Sequence, residues 1–154
     1  MPTDVRALVG ECELTGSRTT FERNGRAVAI LVSHDEYLAL RETIAIAADD
    51  ALRALLDAAE DEARRGLIDL PEPQVANDRI RVPDSVAAFP LSDEERLLIS
   101  EAYTRIDEDP IAGAPLFEPL RGLWSYRTKH LRIVYRIFPE ARFIVVMSVG
   151  RAAP

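Results

Sequence analysis

Gly122 to Tyr135, Gly-Leu-Trp-Ser-Tyr-Arg-Thr-Lys-His-Leu-Arg-Ile-Val-Tyr, restricts the possible folds of this chain more than any other stretch. Two strand-length segments, 123–128 and 131–137, flank the polar pair Lys129-His130, which leaves room only for a tight turn. Alternation places Leu123, Ser125 and Arg127 on one face of the first strand, and Trp124 and Tyr126 on the other. On the second strand Leu131, Ile133 and Tyr135 share one face, and Arg132, Val134 and Arg136 the other. A third strand, 143–148, completes an antiparallel meander. Arginines on a twisted sheet of this kind make a cationic surface suited to phosphate, whose oxygens match the planar guanidinium fork.

The charge pattern sharpens that expectation. The 154 residues carry a net −7, yet residues 113–154 hold seven Arg or Lys against two Glu, while the segments before them are acidic. An anion-binding part behind a part able to neutralise it is the expected arrangement. The length allows one medium domain or two small ones, and 47% apolar content is that of an ordinary globular chain. No apolar run approaches the ~18 residues of a membrane span, so no membrane partner is expected. Met-Pro-Thr-Asp-Val-Arg does not have the layout of a signal peptide. The single Cys12 makes neither an internal disulfide nor a metal cluster, so a cytoplasmic location with no metal and no cofactor is expected.

Taken in order, residues 4–13 suit a short helix and 19–23 a strand. Asn24-Gly25 is a strong hairpin signal, because both residues tolerate positive φ. The return strand 26–32 is apolar enough to be buried on both faces. Ser33 and Glu36 form a capping box that opens a helix to about Ala47, and a second helix spans 51–65, ended by Gly66. Pro71 and Pro73 forbid helix in 67–78, a linker. A strand at 79–83 and a helix opened by the capping box Ser92…Glu95, with Leu97, Leu98, Ile99, Ala102 and Ile106 inward, precede the meander. The fold class expected is α+β, with the meander packed on that helix.

The run Thr20-Phe21-Glu22-Arg23-Asn24-Gly25-Arg26-Ala27-Val28-Ala29-Ile30-Leu31-Val32-Ser33, with Asp35-Glu36-Tyr37, Leu40 and Glu42-Thr43, resembles the Phd/YefM antitoxin family over residues 4–66. Asp109-Pro110, Gly113, Pro115-Leu116, Pro119-Leu120, Gly122-Leu123-Trp124, Tyr126-Arg127, Leu131-Arg132-Ile133-Val134-Tyr135 and Val149-Gly150-Arg151 resemble the RelE/ParE toxin superfamily. Together the resemblances imply a fusion: residues 1–66 antitoxin-like, 67–78 a linker or neutralising segment, and 79–154 toxin-like. The first implies a homodimer pairing through residues 18–48, with Arg6, Arg18 and Arg23 as candidates for operator DNA. The second implies metal-independent cleavage of messenger RNA on the ribosome, in which the 2′-hydroxyl attacks and guanidiniums stabilise the phosphorane.

Arg127 and Arg132 stand at matching positions as phosphate clamps, and Arg151 lies near a third. Lys129 and His130 are the candidate base or acid. Tyr126, with Trp124, could stack a base, against a core role facing the helix 92–106. Leu123 and Ser125 occupy positions that the ribonucleases fill with lysine, and the chain stops at Ala152-Ala-Pro154 without the family tyrosine. A weak or inactive ribonuclease is therefore expected. The alternatives are a dimeric DNA-binding autorepressor with a degenerate toxin part, and a gyrase-targeting toxin of the ParE branch. The partner expected for the toxin part is its own antitoxin half or a second copy, with residues 51–78 against the 79–151 sheet.

Overall fold

The computed structural model describes residues 4–64, 79–138 and 142–152. The chain divides into two compact units, residues 1–41 and 42–154. This packing boundary falls inside a helix, whereas the proline-rich stretch 67–78 and Gly66 lie outside the described residues.

The first unit begins with α1 (Val5–Thr15), capped by the Asp4 side chain and ended by Gly16 in the left-handed region. The strands β1 (Thr19–Arg23) and β2 (Arg26–Leu31) pair antiparallel around Asn24 and Gly25, both at positive φ as the hairpin signal requires. The expectation that the return strand is buried on both faces is wrong. Val28 is 56% and Ile30 60% exposed, because a two-stranded ribbon offers no second layer to cover them. Helix α2 (His34–Ala47) starts where Ser33 Oγ accepts from the Glu36 backbone N–H at 3.1 Å. The Glu36 carboxylate does not complete the box and pairs with Arg18.

The second unit takes in the end of α2 and then α3 (Asp50–Arg64), where Asp49 accepts from the Leu52 N–H at 2.9 Å. Next come β3 (Ile80–Arg81), the single-turn α4 (Asp84–Ala87), α5 (Asp93–Glu108) and β4 (Ala114–Pro115). The meander follows as β5 (Leu123–Thr128), β6 (Leu131–Phe138) and β7 (Phe143–Arg151). The five-stranded sheet has the order β3-β7-β6-β5-β4, antiparallel except where β3 runs parallel to β7. The fold is α+β, with a small sheet plus helices in the first unit and an antiparallel meander with packed helices in the second.

Two separate cores lie on the two faces of this sheet. Leu131, Ile133, Tyr135, Ile144 and Val146 meet Ile99, Ala102, Tyr103 and Ile106 of α5, with Trp124 and Tyr126 partly buried against them. Trp124 and Tyr126 thus take the core side of the alternative posed above. Leu97, expected inward, is 67% exposed, since the α5 face is set by 99, 102, 103 and 106. On the opposite face Leu123, Val134, Val145 and Met147 meet Ile46 of α2 and Leu56 of α3. A bulge opposite Val134/Tyr135 shifts the register of β7.

Candidate functional site

The face under α2 and α3 carries the arginines. Arg127 and Arg132 are directly opposed on β5 and β6, one pair out from Thr128–Leu131, which closes the turn at Lys129, whose φ is positive. Like charges at directly opposed positions repel and need an anion between them. Glu42, in the last turns of α2, supplies it. Its Oε1 accepts from Arg132 Nε at 2.5 Å and from Ser125 Oγ at 2.7 Å, and its Oε2 lies 3.5 Å from an Nη of Arg127. The side chains of Glu42 and Arg132 are 7% and 9% exposed, while that of Arg127 keeps 40%. The next residue, Thr43, helps fix the helix, since its Oγ1 accepts from the Phe117 N–H at 3.0 Å.

Farther along β6, Arg136 shares this face and pairs with Glu60 of α3. Burial disfavours the charged guanidinium and lowers its pKa. Both acids that meet the arginines of this face therefore come from the helices that precede the proline-rich stretch.

The remaining candidates lie on the α5 side. Arg151, opposite Leu131, reaches Glu95, which accepts from its Nε at 2.9 Å and its Nη at 2.7 Å. His130 Nε2 meets the same carboxylate at 2.9 Å. Glu95 also completes the capping box with Ser92, accepting from the Ser92 N–H at 2.9 Å. Arg151, the Ser92 N–H and His130 hold the Glu95 carboxyl down at about 2. Arg151 further donates to the Pro90 carbonyl and lies over the Phe89 ring. Lys129 pairs with Glu94 at 3.6 Å, both side chains largely exposed.

The structure thus brings Arg127 and Arg132 together, and separately groups Arg151 with His130, on opposite faces of the sheet. In the first unit Arg6 and Arg23 are exposed and Arg18 is engaged by Glu36. Sequence reasoning missed Glu42, Glu60, Glu95 and Arg136 as members of these clusters. The facing pair Arg127–Arg132 demands an anion, but nothing local in the sequence singles out Glu42, one helical turn before the buried Ile46, as its source.

Gly113 and Tyr135 brace the edge of the site. Tyr135 Oη donates to the Pro110 carbonyl at 2.7 Å and accepts from the Gly113 N–H at 3.3 Å. Burial pushes the Tyr135 phenol up to about 12, which keeps it a neutral donor. A Cβ at Gly113 would stand 2.7 Å from both Tyr135 Oη and the Ser125 carbonyl oxygen, so only glycine fits.

No protein-family model matches this chain, and no curated protein matches it. Among solved structures it is similar to the toxin–antitoxin complex RelBE2 from Mycobacterium tuberculosis, at 22% identity and a TM-score of 0.43. The match covers 47% of this chain and 95% of that one. No described helix is long and apolar enough to cross a membrane.

Proposed function

We propose that this chain is a self-neutralised toxin–antitoxin fusion. Residues 1–66 are the antitoxin-like part, 67–78 join the two, and 79–154 are a RelE/ParE-like toxin part whose cationic sheet face receives phosphate. The observation that carries this reading is the convergence of Arg127 and Arg132 on Glu42, a buried acid contributed from before the proline-rich stretch. The carboxylate lies where a phosphate oxygen would be held, between the two guanidiniums.

Arg127 and Arg132 are the phosphate clamps in this reading, and Ser125 adds a neutral donor. Arg151 and His130 are tied to Glu95 and serve the fold, with Lys129 beside them at the turn. Leu123 is buried in the core and Ser125 is bound to Glu42, so neither position where the ribonucleases carry lysine offers a base. This favours a weak or inactive ribonuclease, or a target engaged without chemistry such as gyrase.

The test is anisotropy of a labelled single-stranded RNA oligonucleotide titrated with full-length protein. Wild type should not bind at moderate salt, Glu42→Lys should bind, and Glu42→Lys/Arg132→Gln should lose most of that binding. A Glu42→Lys protein that is folded and indistinguishable from wild type contradicts the reading.

A second role is favoured by one observation in the first unit, the exposed Val28 and Ile30 on β2. They suit pairing of two copies through the small sheet, with Arg6, Arg18 and Arg23 turned to operator DNA. Sedimentation of Val28→Glu/Ile30→Glu should give monomers, and a gel shift on the protein's own promoter should be lost with the dimer. Dimers that persist in the variant, or no retardation at low salt, would end that role.

A further inference from the structure

We infer that the anion receptor extends past Arg127 and Arg132 to Arg136, so that the uncovered face grips a single-stranded phosphodiester backbone at two points; this rests on the reading above. Arg132 and Arg136 share a face of β6 four residues apart, which sets their Cα atoms about 13 Å apart at ~3.3 Å per residue. One phosphate does not span that distance, whereas phosphates two linkages apart on an extended nucleic acid strand do.

The surroundings of Arg136 are those of a half-filled anion site. It lines a cleft of about 330 Å³ with Arg121, Leu123, Asp57, Glu60 and Asp61. Glu60 takes one Nη, while the buried Nε has no hydrogen-bond partner among the described residues. A guanidinium binds an oxyanion best through two parallel N–H groups, so half of this fork is unused. A buried donor left empty is costly, which makes it a point where a better acceptor gains. Gly122, at φ +91°, lies beside this guanidinium, whose Nη1 would stand at an ordinary contact distance of 3.4 Å from a Cβ there.

The covering acids compete with an incoming anion for the arginines of the cleft. Asp57, Glu60 and Asp61 all belong to α3 and outnumber the two arginines of the cleft. Displacing α3 removes all three at once from Arg121 and Arg136, while Glu42 of α2 stays on Arg127 and Arg132. An acidic protein helix is the other extended polyanion that could follow. The empty Nε argues for phosphate, because a carboxylate fixed on a helix does not fill the fork, whereas a phosphodiester brings two free oxygens on a flexible chain.

The experiment uses full-length Glu42→Lys and measures binding of a single-stranded RNA oligonucleotide and of inorganic phosphate across a salt series. Adding Arg136→Gln should weaken oligonucleotide binding about tenfold and reduce the salt slope by about one. Phosphate binding should stay unchanged. Adding Glu60→Gln instead should strengthen oligonucleotide binding, a gain that a misfolded protein cannot give. If Arg136→Gln leaves oligonucleotide affinity and slope untouched, the second grip is overturned while the Arg127–Arg132 receptor stands. If Glu42→Lys and the milder Glu42→Gln, both folded by circular dichroism, bind no oligonucleotide, the receptor reading itself fails. Tight binding of a peptide spanning residues 42–64 with no oligonucleotide binding overturns the phosphate assignment in favour of a protein helix.

Discussion

A buried arginine is tolerable only while its charge is answered, and Arg132 is answered by a single carboxylate. Removing one partner of such a pair costs about 3–5 kcal/mol, because the other charge stays buried. Glu42→Ala should therefore destabilise the protein by roughly that amount in urea unfolding, well beyond the ~0.5 kcal/mol expected of an ordinary surface change. The double variant Glu42→Ala/Arg132→Met should recover much of the loss, since it leaves no orphan charge at position 132. Glu95 makes a different prediction, in pH. Its folded pKa of about 2 lies below the ordinary 4.5, so the contribution to stability is full above pH 4.5 and is lost as pH falls towards 2. Glu95→Gln should flatten the acid limb of the stability profile in that window, measured by thermal melts from pH 5 to pH 2.

At the level of elements, the strands and helices were legible where a strict period or a cap marked them. The meander, its turn at Lys129-His130 and both helix starts at Ser33 and Ser92 followed from alternation and capping chemistry. The edge strands β3 and β4 hold two residues each, and α4 a single turn, too short for any periodicity to register. The burial of β2 was misread because apolar content says that a strand can be covered, not that anything covers it.

The two faces of the meander were legible from alternation, whereas their partners were not. Glu42 and Glu60 are separated from the arginines they meet by dozens of residues, and no local pattern encodes such a pairing. Two element-scale tests follow. Ser92→Ala should cost about 1 kcal/mol by loss of the cap, read as a drop in denaturation midpoint. Leu56→Ala, at the fully buried contact of α3 with the sheet, should cost about 2–5 kcal/mol and loosen the cover over the arginines.

For the whole molecule, the segregation of charge along the chain reappears as contact between its parts. Acids that precede the proline-rich stretch meet arginines that follow it, and the apolar contacts of Ile46 and Leu56 flank those ion pairs. A tether of this kind holds the local concentration of the covering segment near ~1 mM, enough to keep even a modest interface closed. The most direct measurement is gel filtration of the protein after a protease site placed within 67–78 has been cut. The fragment ending in the cut segment and the fragment 79–154 should elute together in the native protein and separate when Glu42 and Glu60 are both changed to Lys. Fragments of the native sequence that migrate independently, or that stay together regardless of those charge reversals, would contradict the self-neutralised reading.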